Sequence, residues 1–533
     1  MKKTEVKKLT LEEKISLLTG ADNWQTESAD GKVRQVFLSD GPSGLRMHDL
    51  KNNYATIKAT ALPTCHVLSY TWDTDLAFEY GATIADECII HGADVLLGPG
   101  VNIKRTPLCG RNFEYLSEDP YLAGVFGAAY VEGVQSKGVG ACVKHYCANN
   151  SEADRCHQSS EVDERTLHEI YLKPFEMTMK AKPWTVMCSY NPINGIYASE
   201  NRKLLNDVLR GEFGFDGLIM SDWGAVHNPV RAVQATLDLC MPHRDDSAGL
   251  ISEAVKSGKI GAAEIDERAQ KVIDLAEKAE RAAVKRKVTT TAEERHETAV
   301  KIAKEGIVLL KNEEQILPLD KTKKTAFIGP YVNSRNLMGS WSIIGEAKDI
   351  TTVEEIMAVE EAGNNVVCCQ GSPMLGAEVI LEGFTEENQA IYTPEEEARM
   401  LEEALEAAKK ADQVVLFIGE DRLQSGEATS NATIQVPQIQ QNLLERVAEI
   451  NENIAVVLFS GRPLDLRDVQ VKAKAILEVW MPGTEGAGAI TDVLYGRYNP
   501  TGKLPMSFPY CVGQVPVHYN EYATGRPHVE GKD

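Results

Sequence analysis

Gly217-Leu218-Ile219-Met220-Ser221-Asp222-Trp223 is a short apolar run that ends on a carboxylate and an indole. Continuous apolarity without polar alternation suits a strand covered on both faces, as in a parallel sheet. The same design recurs upstream at Val33–Leu38, Asp94–Leu97, Gly140–Val143 and Trp184–Cys188, and more weakly downstream at Thr236–Met241. Segments between the runs, such as Leu167–Lys180 and Asn201–Arg210, carry helical periodicity. Asp40, the Gly98-Pro99-Gly100 loop leading to Arg111, Lys144-His145, Tyr190 and Asp222 fall at or just beyond the C-terminal end of a run. In a β/α barrel those ends converge on one mouth. An α/β fold is therefore expected, with a (β/α)8 TIM-like barrel in the first half.

Further along, Ser257 to Ala299 is helical and highly charged, and Lys285–Thr291 looks like a linker. A second unit then opens with a helix at Thr298–Leu310. Its strands are expected at Thr325–Gly329, Asn365–Cys369, Gln413–Gly419, Ala455–Ser460 and Ala475–Trp480, with helices such as Glu395–Lys410 and Gln438–Asn451 between them. That order suits a doubly wound α/β sandwich. The expected division is a barrel over 1–284, a linker over 285–299, a sandwich over 300–510 and a tail over 511–533.

The 533 residues are 43% hydrophobic and 25% charged, an ordinary globular composition. A formal net charge of -22 argues against nucleic acid or an anionic membrane as partner, and fits a neutral substrate. The stretch Met1–Lys14 has positive charge but no apolar region behind it, and no apolar run is long enough to cross a bilayer. Eleven cysteines are scattered without CxxC spacing, several of them (Cys142, Cys188, Cys368, Cys369) inside expected strands, where buried reduced thiols are the default. A cytoplasmic location is expected.

A strand end holds Asp222 rigidly, and the indole of Trp223 offers a face to a sugar ring. The blander alternative is an Asp that caps the next helix. Asp40, in Ser39-Asp40-Gly41-Pro42-Ser43-Gly44-Leu45-Arg46, can accept two hydroxyl hydrogen bonds, while Arg111, Lys144 and His145 supply donors. His145 lacks the HxH, HxxxH or Cys/His company of a metal site, so no metal is expected. Gly98-Pro99-Gly100 does not make a phosphate loop, because GxxxxGK[ST] is absent. Glycosidic cleavage needs a second carboxylate. Glu114, Glu118, Asp154 and Asp163 compete for that part in the first half. Glu427, in the polar loop Gly419–Ser430, competes from the second.

Taken together, these motifs resemble glycoside hydrolase family 3, chiefly its β-glucosidases. The resemblance runs from about Leu9 to Pro527. It rests on Ser39–Arg46, Gly98–Arg105, Gly110–Glu114, Ser117–Pro120, Lys144-His145-Tyr146, Met187–Asn191, Ser221-Asp222-Trp223, Ser425-Gly426-Glu427, Pro482–Gly488 and Asn499–Pro505. It implies a barrel followed by a sandwich, with Asp222 as nucleophile and Glu427 as acid/base in a retaining mechanism. Asp40, Arg111, Lys144, His145, Met187, Tyr190 and Trp223 would surround the non-reducing-end sugar of a small or oligomeric β-glucoside, with no cofactor. The first half is most similar to clostridial-type β-glucosidases and the second to the periplasmic bacterial branch, a possible mosaic. Asn431 stands where that branch commonly has an arginine. The N-acetylglucosaminidase branch, with its Lys-His-Phe-Pro-Gly motif, is disfavoured by Lys144-His145-Tyr146-Cys147-Ala148. A β-xylosidase or α-L-arabinofuranosidase on the same scaffold is the nearest rival, and an inactive glycan-binding protein is the rival from another class.

Overall fold

The computed structural model describes residues 5–48, 57–341, 350–360, 365–376 and 392–521. Its first sheet joins five strands in chain order, all parallel: Leu38–Ser39, Val95–Leu96, Gly140–Tyr146, Thr185–Cys188 and Leu218–Ser221. Both faces are covered, as the apolar runs require. Leu96, Ala141, Val143, Val186, Cys188 and Ile219 pack into one core with the helices Thr74–His91 and Pro120–Ser136. Val95, Cys142, Met187, Leu218 and Met220 join a second core with the helix Ala262–Ala283. This alternation of successive residues between two cores is the period-two signature of a strand.

The sheet curls. Backbone pairing continues from Met220 to Leu239 and from Cys240 to Thr19 as isolated bridges, then through antiparallel bridges of Gly20 with Thr26 and Gln25 with Phe37. The Leu38 amide donates to the Trp24 carbonyl at 2.8 Å, next to the first strand. The weak run at Thr236–Met241 thus forms bridges rather than a regular strand, and only the end of Val33–Leu38 is regular. The strand begun by Gly140–Val143 runs on to Tyr146, so Lys144 and His145 lie within it. Helix Leu167–Lys180 is broken in two, a wide turn Leu167–Tyr171 followed by the helix Lys173–Met179. Pro174, which has no N–H, sits in the first turn of the second piece, where proline is tolerated.

The second sheet has six strands in the order Val366–Cys369, Thr325–Ile328, Gln413–Gly419, Ile454–Phe459, Ala475–Glu478 and Val308–Asn312. The first five are parallel and the last is antiparallel. Phe327, Val415, Phe417, Val457 and Leu477 face helix Gly486–Leu494 in one core. Ile328, Leu416, Ile418, Val456 and Ile476 face helices Pro394–Lys410 and Gln438–Ala448 in the other. The expected helix Thr298–Leu310 is corrected here: the helix Ala292–Gly306 stops at Gly306, and Val308–Asn312 is the antiparallel edge strand. Glycine is a poor helix former, and Ile307 is already extended with φ -68° and ψ 129°.

The two halves dock through loops. Ser117 Oγ and the Glu118 amide both donate to the Pro505 carbonyl, at 2.7 and 3.1 Å, and Ser507 returns two bonds of 2.8 Å to Glu118. Among the described residues no helix is long and apolar enough to cross a membrane. All eleven cysteines are unpaired, with Cys142 and Cys188 buried and Cys368 and Cys369 half-buried. Residues 522–533 of the expected tail lie outside the described residues.

Candidate active site

Asp222 follows the strand Leu218–Ser221 directly, its amide bonded to the Cys188 carbonyl of the neighbouring strand at 3.1 Å. The backbone that carries it is thus fixed by the sheet. Oδ1 accepts the Trp223 amide at 2.8 Å, whereas Oδ2 is buried and accepts no hydrogen bond among the described residues. His145 Nε2 lies 3.7 Å from that oxygen. A carboxylate with one lone oxygen in a protected place is expensive to ionise. Burial, then the neighbouring Glu427, raises Asp222 to about 6, against the pull of Arg111, the Trp223 amide and Lys144.

That shift has a sign that can be checked by unfolding. The folded state holds the Asp222 proton more tightly than the unfolded chain, whose ordinary value is 3.8. Above about pH 6 the ionised side chain therefore costs folding free energy, and the cost disappears as pH falls through 6 toward 4. Asn keeps the acceptor for the Trp223 amide without the charge. Asp222→Asn should accordingly stabilise the protein by about 3 kcal/mol at neutral pH, with the gain lost below about pH 4. Urea unfolding at both pH values reads this directly, and equal stability of the two proteins at neutral pH would contradict it.

Around Asp222 the strands bring together a dense network of charges. Lys144 Nζ lies 3.2 Å from Glu114 Oε1 and 3.5 Å from Asp40 Oδ1. Arg46 reaches Asp40 Oδ2 at 3.1 Å and stacks over Trp341 of the second half at 4.8 Å. Arg111 donates from Nε to Glu114 at 2.8 Å and from a terminal nitrogen to His145 Nε2 at 2.9 Å. Because that ring nitrogen accepts, His145 carries its proton on Nδ1, between Tyr115 Oη at 3.3 Å and Asn102 Oδ1 at 3.4 Å. Burial and the nearby Arg111, Lys144 and Arg155 keep its pKa well below the usual histidine value. Glu114, once a competitor for the second carboxylate, is wholly buried and held low by Arg111 and Lys144 despite its burial.

The remaining competitors lie elsewhere in the network. Glu118 bonds Ser507 at the junction of the halves, Asp154 pairs with His157 on the surface, and Asp163 caps the turn at Thr166. Glu427 reaches the site from the second half, with Oε1 3.7 Å from Arg111 and in direct contact with Arg155. Its loop is tied to the first half on every side. The Gly426 amide donates to the Gly110 carbonyl at 2.7 Å, the Ala428 amide to Glu152 at 2.8 Å, and Ser430 bridges Cys109. Gly110 has no room for a side chain, since a Cβ there would stand 2.1 Å from the Thr429 carbonyl. Asn431 does not leave the loop adrift: it donates to Glu420 at 3.2 Å, and Arg462 clamps Glu420 at 2.9 Å and the Pro107 carbonyl at 3.1 Å.

Tyr190 completes the ring, donating to the Trp223 carbonyl at 2.9 Å, while Trp223 packs on Trp24 and donates to the Asn23 carbonyl. Met187 lies buried in the sheet beside Met220.

Comparison with known proteins matches the same two halves. Residues 25–275 match the glycosyl hydrolase family 3 N terminal domain and residues 307–532 the glycosyl hydrolase family 3 C-terminal domain. Thermostable beta-glucosidase B of Acetivibrio thermocellus is 40% identical over 97% of this chain and 67% of its own length. The chain belongs to glycosyl hydrolase family 3. Another member, an exo-α-(1→6)-L-arabinopyranosidase of Bifidobacterium longum, is 39% identical over 97% of this chain and 68% of its own. Beta-glucosidase 3B of Thermotoga neapolitana, solved in complex with glucose, superposes with a TM-score of 0.84 at 33% identity, covering 96% of this chain and 76% of that one. Within this family member, the residues that sequence reading passed over are Asn102, Tyr115, Glu152, Arg155 and Arg462. All five lie in or beside irregular segments, where no periodicity marks which side chains turn inward.

Proposed function

We propose that the protein is a retaining, exo-acting β-glucosidase that releases glucose from the non-reducing end of β-glucosides. The observation that carries this reading is the approach of Asp222 and Glu427, one from each half, to the bonded pair Arg111 and His145. Arg111 lies 3.7 Å from Glu427 and bonds His145, which lies 3.7 Å from Asp222. Asp222 attacks the anomeric carbon while Glu427 protonates the leaving oxygen. Glu427 then takes a proton from water, which displaces Asp222 from the glycosyl-enzyme. Asp40, Lys144, Arg111 and His145 bind the sugar hydroxyls, with Tyr190 and Met187 lining the pocket and Trp223 beneath the ring.

The sugar is tested with p-nitrophenyl β-D-glucoside, β-D-xyloside, α-L-arabinofuranoside and α-L-arabinopyranoside, the last because a relative 39% identical bears that name. Asp40 is held between Lys144 and Arg46, which suits a bidentate grip on the hydroxyls around C4 and C6. A sugar without the C6 hydroxyl forfeits a hydrogen bond to that carboxylate, so kcat/KM should favour the glucoside by about 10-fold or more. Highest activity on a pentoside would shift the assignment to that sugar, and turnover of none would remove the enzyme reading.

Three further readings belong with this one. The curled sheet is taken as a TIM-like barrel, on the strength of backbone pairing that runs from Met220 through Leu239, Cys240 and Thr19 toward the Gln25–Phe37 bridge. The halves are taken as 1–284 and 300–510, joined by 285–299. A cytoplasmic location is supported by eleven cysteines without a disulfide.

A further inference from the structure

We infer that Glu152 and Arg155 are positioning residues for Glu427, forming a brace that sets its distance from Asp222. The inference rests on the reading of Glu427 as the acid/base. Both residues belong to the irregular segment after the strand Gly140–Tyr146, so the first half holds a side chain that the second half supplies.

Glu427 stands on a short turn of unfavourable backbone conformation. Gly426 has φ +143°, open only to glycine, and Ala428 has φ +56°, a left-handed conformation unfavourable for an alanine. The amide of Ala428 is met by Glu152, which is buried and accepts it at 2.8 Å. A charged acceptor makes that bond stronger than a neutral one. Arg155 stands between the two carboxylates, 3.6 Å from Glu152 and in contact with Glu427. Its guanidinium lies 4.3 Å over the ring of Tyr190, and Tyr190 donates to the Trp223 carbonyl, one residue from Asp222. The brace therefore runs from Asp222 through Trp223, Tyr190 and Arg155 to Glu427. Retaining hydrolysis needs its two carboxylates about 5–5.5 Å apart. A spacing shared between two halves of a chain needs such a tie, because loops alone are the most mobile part of a fold.

The experiment compares kcat/KM for aryl β-glucosides from poor to good leaving groups in wild type, Glu152→Ala, Glu152→Gln, Arg155→Met, Arg155→Lys and Glu427→Ala. A displaced general acid hurts poor leaving groups most. Glu152→Ala and Arg155→Met should lose about 100-fold on the poorest phenols and less than about 3-fold on the dinitrophenyl glucoside. Glu152→Gln, which still accepts the Ala428 amide, should recover most of the loss. Arg155→Lys keeps charge without the planar fork and should lie between, which covers the case of a methionine variant that does not fold. Even losses across the series, or none, while Glu427→Ala loses selectively, would overturn the brace alone. An even loss in Glu427→Ala would instead overturn the acid/base reading beneath it.

Discussion

Asp222→Ala is expected to lower kcat/KM on p-nitrophenyl β-D-glucoside by on the order of 10⁵-fold, about 7 kcal/mol of transition-state stabilisation. The size follows from what the side chain does. It forms the covalent bond of the first step, and the neighbouring carboxylates Glu114 and Asp40 are engaged elsewhere. Glu114 is tied to Arg111 and Lys144, and Asp40 to Lys144 and Arg46. Alanine removes the buried charge together with the acceptor of the Trp223 amide, and Asp222→Asn, which keeps that acceptor, controls for any loss of fold. The space left behind is bounded by His145 and Trp223. A small anion such as azide can enter it and attack the anomeric carbon directly, giving the α-glucosyl azide from an activated β-glucoside. Activity within about 100-fold of wild type would remove Asp222 as nucleophile. A wild type with no turnover to lose would favour the glycan-binding rival.

Much of the fold is legible in the sequence because the strands are apolar on both faces. Gln413–Gly419 stands where its apolar run puts it, and Ala475–Glu478 differs only at its end. The edge strand Val308–Asn312 is not legible in the same way. It has one exposed side, with Leu309 38% exposed, and it follows a helix whose periodicity runs smoothly into it. The π-type turn at Leu167–Tyr171 is invisible for a related reason, since a wide turn keeps the apolar residues of a regular helix. The bridges at Leu239 and Cys240 complete the curl, yet each is a single pair and leaves no run to detect.

The candidate site divides along the same physical line. Asp222, Lys144 and His145 sit on or at the end of regular strands, and position alone marked them. Glu427 could not be found that way. Spacing left it among five candidates, and the resemblance to a family singled it out. The structure shows why spacing fails: the loop takes its shape from Gly110, Cys109 and Glu152, all more than 270 positions away. Arg462 is missed for the same reason, since its partners Glu420 and Pro107 come from different halves. Contacts of that range are properties of the packed chain, and no local pattern encodes them.

Glu427→Ala should separate the two steps of the reaction in a way that no general damage imitates. On a glucoside with a poor leaving group, kcat/KM should fall by about 10³- to 10⁴-fold, because the leaving oxygen departs without a proton. On the dinitrophenyl glucoside, whose leaving group needs no proton, the first step should stay within about 10-fold of wild type. The second step still lacks its base, so the glucosyl-enzyme should accumulate, kcat and KM should fall together, and the protein should gain the mass of one glucosyl residue on Asp222. Azide, which needs no base, should restore turnover by displacing Asp222 from the intermediate. Two displacements return the original configuration, so the product is the β-glucosyl azide, against the α-product expected from Asp222→Ala. The two azides thus report on which face of the sugar each carboxylate stands. An α-product from Glu427→Ala, or no rescue and an even loss over all leaving groups, would place the acid/base elsewhere.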